Sequence, residues 1–136
     1  MAKIKHIAIM ARDQEKTAEF YKKTFDMFEV WRHDSVERSG SYAVYLSDGY
    51  INLAILPARA GVQEGINHFG FEIDDIDATA KVADEAGATQ MPEATPKDGR
   101  FAEAFIKDPA GTRVDLSVAG WLTEPAVNPE YAGPAR

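Results

Sequence analysis

The chain has 136 residues, 45% of them hydrophobic and 27% charged, the profile of one globular domain or of two small modules sharing a core. It has no cysteine, which excludes disulfides, thiolate nucleophiles and Cys-held zinc or iron–sulfur sites. A formal net charge of −7 repels phosphate backbones and anionic lipids, so neither nucleic acid nor a membrane is expected as a partner.

The first element is a strand, His6-Ile-Ala-Ile-Met-Ala, closed by Arg12-Asp13. Asp13 is the predicted N-cap of a helix whose Phe20, Tyr21, Thr24, Phe25 and Phe28 share one face. Strand candidates follow: Ser41-Tyr-Ala-Val-Tyr-Leu46, the turn Ser47-Asp48-Gly49, and Tyr50-Ile-Asn-Leu-Ala-Ile55. Pro57 to Glu64 is rich in breakers and reads as a linker. The order then repeats. His68-Phe-Gly-Phe-Glu-Ile-Asp-Asp75 lies over His6 to Asp13 without a gap, and Asp75 caps a second helix with Ile76, Ala80, Ala83 and Gly87 on one face. Gly87 is a plausible helix stop. Arg100 to Ile106, the turn Asp108-Pro-Ala-Gly111 and Thr112 to Val118 complete the copy.

Each half is thus strand–helix–strand–strand–strand, predicting an α+β fold of two tandem modules, about 3–56 and 66–118, followed by an extended arm, 119–136. Trp121 and Tyr131 give the arm apolar anchors, which suit packing on a partner subunit. No apolar run approaches a membrane span, and the first residues lack a signal-peptide apolar stretch, so a cytoplasmic protein is expected.

Strands alternate faces with period two. Ile7 and Ile9 oppose His6 and Ala8; Leu53 and Ile55 oppose Asn52 and Ala54. Phe69 and Phe71 oppose His68 and Gly70; Val114 and Leu116 oppose Arg113, Asp115 and Ser117. One face packs under the helices. The other carries a polar group on each of four strands, beside small residues that leave room for something to bind. Two imidazoles and a carboxylate, His6, His68 and Asp115, form a donor set for Fe(II), Mn(II), Zn(II), Ni(II) or Co(II). Three protein ligands leave positions open for a small-molecule substrate or water. Glu103 is in phase with Phe101 and Phe105 and is the candidate general base. Tyr45 and Phe105 are expected to wall the substrate pocket, with Asn52 as one further hydrogen-bonding group in it. His33, in the polar segment Trp31-Arg-His-Asp-Ser, reads as a solvated loop residue.

On Lys3-Ile-Lys-His-Ile-Ala-Ile, Ala18-Glu-Phe-Tyr-Lys-Lys-Thr-Phe, Ile66-Asn-His-Phe-Gly-Phe-Glu-Ile and Asp108-Pro-Ala-Gly-Thr-Arg-Val-Asp-Leu, the chain resembles the vicinal oxygen chelate superfamily. That family includes glyoxalase I, type I extradiol dioxygenases, methylmalonyl-CoA epimerase, and fosfomycin and bleomycin resistance proteins. The resemblance implies paired βαβββ modules in a curved mixed sheet around a divalent metal, usually as a homodimer. His6, His68 and Asp115 match the family's ligand positions. Two departures stand out. The last ligand is usually Glu, and Asp115 is one methylene shorter. The fourth-strand Glu of glyoxalase I and the epimerases is Asn52 here, and a neutral amide cannot abstract a proton. The resemblance implies a lyase, isomerase or dioxygenase type of enzyme acting on an oxygen-chelating substrate. The alternative is a metal-free, ligand-sequestering protein of the bleomycin-binding type.

Overall fold

The computed structural model describes residues 1–33, 43–90 and 102–125. The expected starts at Ser41 and Arg100, Phe101, and the arm beyond Pro125 lie outside these residues. The fold is α+β, with two helices and a mixed seven-stranded sheet. The strands are β1 (Lys3–Ala11), β2 (Phe28–His33), β3 (Ala43–Ser47), β4 (Asn52–Pro57), β5 (Gly65–Glu72), β6 (Ala104–Lys107) and β7 (Arg113–Ser117); the helices are α1 (Gln14–Phe25) and α2 (Ile76–Glu85). His33 closes β2 opposite Ala43, so its backbone is strand rather than the expected loop.

The chain folds into two compact units. One joins Met1–His6 to His68–Trp121; the other holds the described residues of Ile7–Asn67 and those from Leu122 to Pro125. β1 therefore contributes residues to both. The boundaries fall inside β1 and β5 and after Trp121, away from the 57–64 linker.

In the Ile7–Asn67 unit the strand order is β2-β3-β4-β1. The β2–β3 and β3–β4 pairs are antiparallel, with Tyr45 opposite Ala54 and Leu46 opposite Leu53. The predicted phase holds. Ile7, Ile9, Leu53 and Ile55 gather with Ala18 and Tyr21 of α1, while Ala8, Tyr45 and Ala54 join Val30 and Trp31 in a separate cluster. Asp13 caps α1 by accepting from Lys16 N at 3.0 Å. With no glycine at the helix end, Asp26 takes the left-handed conformation at φ 56°, a role that Asp tolerates better than most non-glycine residues. The expected aromatic face of α1 is corrected. Gln14 and Ala18 are its buried residues, and Phe20 and Phe25 are 55% and 61% exposed. Ala18 clusters with Val44, Leu46, Leu53 and Ile55 of β3 and β4, a small side chain that lets the helix approach the sheet closely.

Arg32 of β2 binds Glu15 of α1, and its Nη2 donates to Glu29 Oε1 at 2.8 Å. The Glu15 hydrogen bond, against the cost of burial and with help from Glu29, raises the guanidinium pKa further above its ordinary value. This pair clips the helix to the sheet edge.

In the other unit β5 pairs with β7 in parallel and β6 with β7 antiparallel. Phe69, Phe71, Val114, Leu116, Ile106 and Ile76 pack together with Ile73 and Ala104. Asp75 caps α2 through Ala78 N at 2.8 Å. Gly87, at φ 96°, ends the helix as expected. Arg32→Ala should lower stability by about 1–3 kcal/mol, leaving Glu29 buried with a weaker partner; a urea melt with an unchanged midpoint would contradict the clip.

Candidate metal centre

His6, His68 and Asp115 all belong to the Met1–His6/His68–Trp121 unit, and all three are buried. Gly70 stands opposite Asp115 in the parallel β5–β7 register, and His68, two residues before Gly70, shares its face. Their ligand atoms lie within 4.8 Å of one another. Asp115 Oδ2 is 3.2 Å from His68 Nε2 and 3.8 Å from His6 Nε2. Donor atoms about 2 Å from a common ion sit roughly 3–4 Å apart. The triad therefore fits a divalent ion with small adjustments, and its two nitrogens and one oxygen suit such an ion chemically.

The two oxygens of Asp115 are divided. Oδ2 faces the imidazoles, and Oδ1 accepts from Arg113 Nε at 2.8 Å. Burial alone pushes this carboxyl up. The hydrogen bond and charge of His68, then those of Arg113, outweigh burial and hold it below the ordinary Asp value. The Arg113 guanidinium in turn lies 4.3 Å above the Phe105 ring, and Phe105 stands opposite Asp115 on β6.

His6 is held by a residue that sequence patterning treated only as an anchor of the arm. The Trp121 indole stacks on the His6 ring at 4.9 Å with an interplanar angle of 3°. The space that Gly70 leaves is filled by this indole: a Cβ there would meet Trp121 Cη2 at 2.8 Å and Asp115 Cβ at 3.1 Å. The expectation that small residues leave room for a ligand is thus corrected at Gly70. The signal for this contact is faint in the sequence, since a lone Trp after the last strand does not name its neighbour.

Glu103, the expected base, is buried. Its Oε2 accepts from Ser117 Oγ at 2.5 Å and from Ala119 N at 2.7 Å. Ser117 Oγ also accepts from Gly120 N at 2.8 Å. These bonds fold the chain back after β7, and Gly120 makes the bend at φ 80°, a conformation that favours glycine. The bend delivers Trp121 to His6. The contact of Glu103 with Ser117 puts its carboxylate on the Asp115 face of β7.

Asn52 and Tyr45 belong to the other unit. Both are buried. Asn52 Nδ2 donates to Leu122 O at 2.8 Å, and Tyr45 packs against Trp31 at 5.2 Å between ring centroids.

The sequence model of the Glyoxalase/Bleomycin resistance protein/Dioxygenase superfamily matches residues 3–116. The chain belongs to this superfamily. It is 27% identical over 128 residues to a probable chloroplastic lactoylglutathione lyase of Arabidopsis thaliana, covering 88% of this chain and 37% of the relative. The chain thus spans little more than a third of that protein. It is 26% identical over 123 residues to the fosfomycin resistance protein FosX of Mesorhizobium japonicum, covering 89% of this chain and 88% of the relative. Among solved structures, a Streptomyces coelicolor methylmalonyl-CoA epimerase variant bound to 2-nitronate-propionyl-CoA superposes with a TM-score of 0.63 at 24% identity, covering 84% of this chain and 94% of that one. That likeness is one of fold.

Two outcomes follow from the geometry. With Trp31 replaced by Phe so that Trp121 alone emits, Gly70→Ala should red-shift the indole fluorescence and cost about 1–3 kcal/mol of stability; an unchanged spectrum and melt would contradict the stack. The second concerns pH. The carboxyl pKa of Asp115 is lowered from 3.8 in the folded protein, so its pairing stabilises above that pH and is lost as pH falls further. In metal-free protein, Asp115→Asn should cost about 1–3 kcal/mol near neutrality, with the difference from wild type closing in acid below pH 3.8. A pH-independent difference would contradict the pairing.

Proposed function

We propose that the protein is a divalent-metal-dependent enzyme acting on a small substrate that chelates through two oxygens. The observation that carries this reading is the convergence of three buried donors, His6, His68 and Asp115, on one point. The names of the sequence relatives, a lyase and a fosfomycin resistance protein, favour a lyase type of reaction over ring-cleaving dioxygenation.

His6, His68 and Asp115 Oδ2 would hold the ion, with Fe, Mn, Zn, Ni and Co all compatible with the donor set. When bound, the ion would supply Lewis acidity to the substrate oxygens and favour the enolate-like charge that develops on them. The protein's own contribution is preorganisation. Trp121 fixes the plane of the His6 ring, and Arg113 occupies Oδ1 so that Asp115 offers a single oxygen. Glu103 is the proton-transfer group of this reading, a carboxylate on the same sheet face as Asp115. A cytoplasmic homodimer belongs to the same proposal.

Titration of metal-free protein with each of the five ions, read by calorimetry and elemental analysis, tests this. Near-stoichiometric binding of at least one ion is expected, weakened at least about tenfold by His6→Ala or His68→Ala. Failure of all five ions to bind would overturn metal dependence and leave the ligand-sequestering alternative.

A further inference from the structure

We infer that Arg113 is the oxyanion-recognition group of this site, so that the substrate carries a carboxylate or similar oxyanion beside its chelating oxygens. This rests on the metal-dependent reading and narrows its substrate class.

The inference begins with how the guanidinium is used. Its Nε donates to Asp115 Oδ1, and its Cζ lies 4.3 Å from the centre of the Phe105 ring. Among the described residues, no hydrogen bond is recorded for its Nη atoms. The side chain is 43% exposed while its carboxylate partner is 6% exposed. A guanidinium offers paired donors along each edge. Asp115 takes Nε alone, so the Nη1–Nη2 edge is open for a second, bidentate oxyanion.

Arg113 is also preorganised. An exposed arginine ordinarily loses rotamer freedom when it binds a ligand. Here the ring below and the carboxylate beside it have already fixed the head group. Charge points the same way. A divalent ion held by His6, His68 and the Asp115 carboxylate, with the Arg113 guanidinium alongside, would leave a local surplus of positive charge even after the Glu103 carboxylate on the same face is counted, on a chain whose net charge is −7. A substrate with an anionic group neutralises that surplus; a neutral chelator does not. The sequence places the two groups two residues apart on one strand, and the period of two puts both on one face. The same residue that orients the metal-binding carboxylate would therefore select the substrate.

The test uses two chelators with one head group. Protein charged with the ion it holds most tightly is titrated by calorimetry with acetohydroxamate and with succinic monohydroxamate, which adds a carboxylate tail. Wild type should bind the carboxylated compound at least about tenfold more tightly. Arg113→Gln, whose amide can still donate to Asp115, should lose that preference, the ratio of the two affinities falling to within about threefold of one whatever happens to either alone. Arg113→Lys should retain part of the preference. Metal content is measured in every sample. Equal affinities in metal-loaded wild type, or a preference undiminished in Arg113→Gln, would overturn this inference alone. A wild type that takes up none of the ions would overturn it together with the proposed function.

Discussion

A buried carboxylate has to be paired, and Asp115 is where this protein meets that requirement. Its side chain is 6% exposed, and an uncompensated charge at such a depth costs several kcal/mol. Two imidazoles on one side and a guanidinium on the other relieve that cost. The same arrangement divides the carboxylate into one oxygen for Arg113 and one for the imidazoles, which is what a monodentate ligand needs. Stability and the proposed metal binding thus draw on one set of contacts.

The chain beyond β7 serves the same centre. Ser117 and Ala119 are tied to Glu103, Gly120 bends the backbone, and Trp121 is brought over His6. Gly70 provides the space beneath the indole. Each step depends on the one before. A buried carboxylate that patterning assigns to catalysis is therefore also the anchor of the turn that holds a candidate ligand in place.

Membership of the superfamily sets the broad chemistry, and the departures of this chain shape what is distinctive. Asp115 replaces the usual longer carboxylate, and its reach is directed by Arg113 two residues before it. The Asn52 amide is hydrogen-bonded to the Leu122 carbonyl, so the acid–base chemistry of a glutamate at that position is absent.

Much of this was legible in the sequence. The caps at Asp13 and Asp75 were readable because each hydrogen bond spans three residues. The turn at Asp108 was readable because its carboxylate accepts from Ala110 N and Thr112 N nearby. The strand faces followed from a period of two, and so did the placement of His6, His68 and Asp115 on interior faces. What the tertiary structure decided are contacts between segments far apart in the chain: Ala18 rather than the phenylalanines facing the sheet, Trp121 on His6 and in the space at Gly70, and Glu103 closing on Ser117 and Ala119. Arg113 lies between these cases. Its face was readable, but its use of Nε on Asp115 and its place over the Phe105 ring required the β6–β7 register. Local backbone geometry repeats with a fixed period and leaves its mark in the order of residues; the meeting of distant side chains depends on register and helix placement, which emerge only when the whole chain packs.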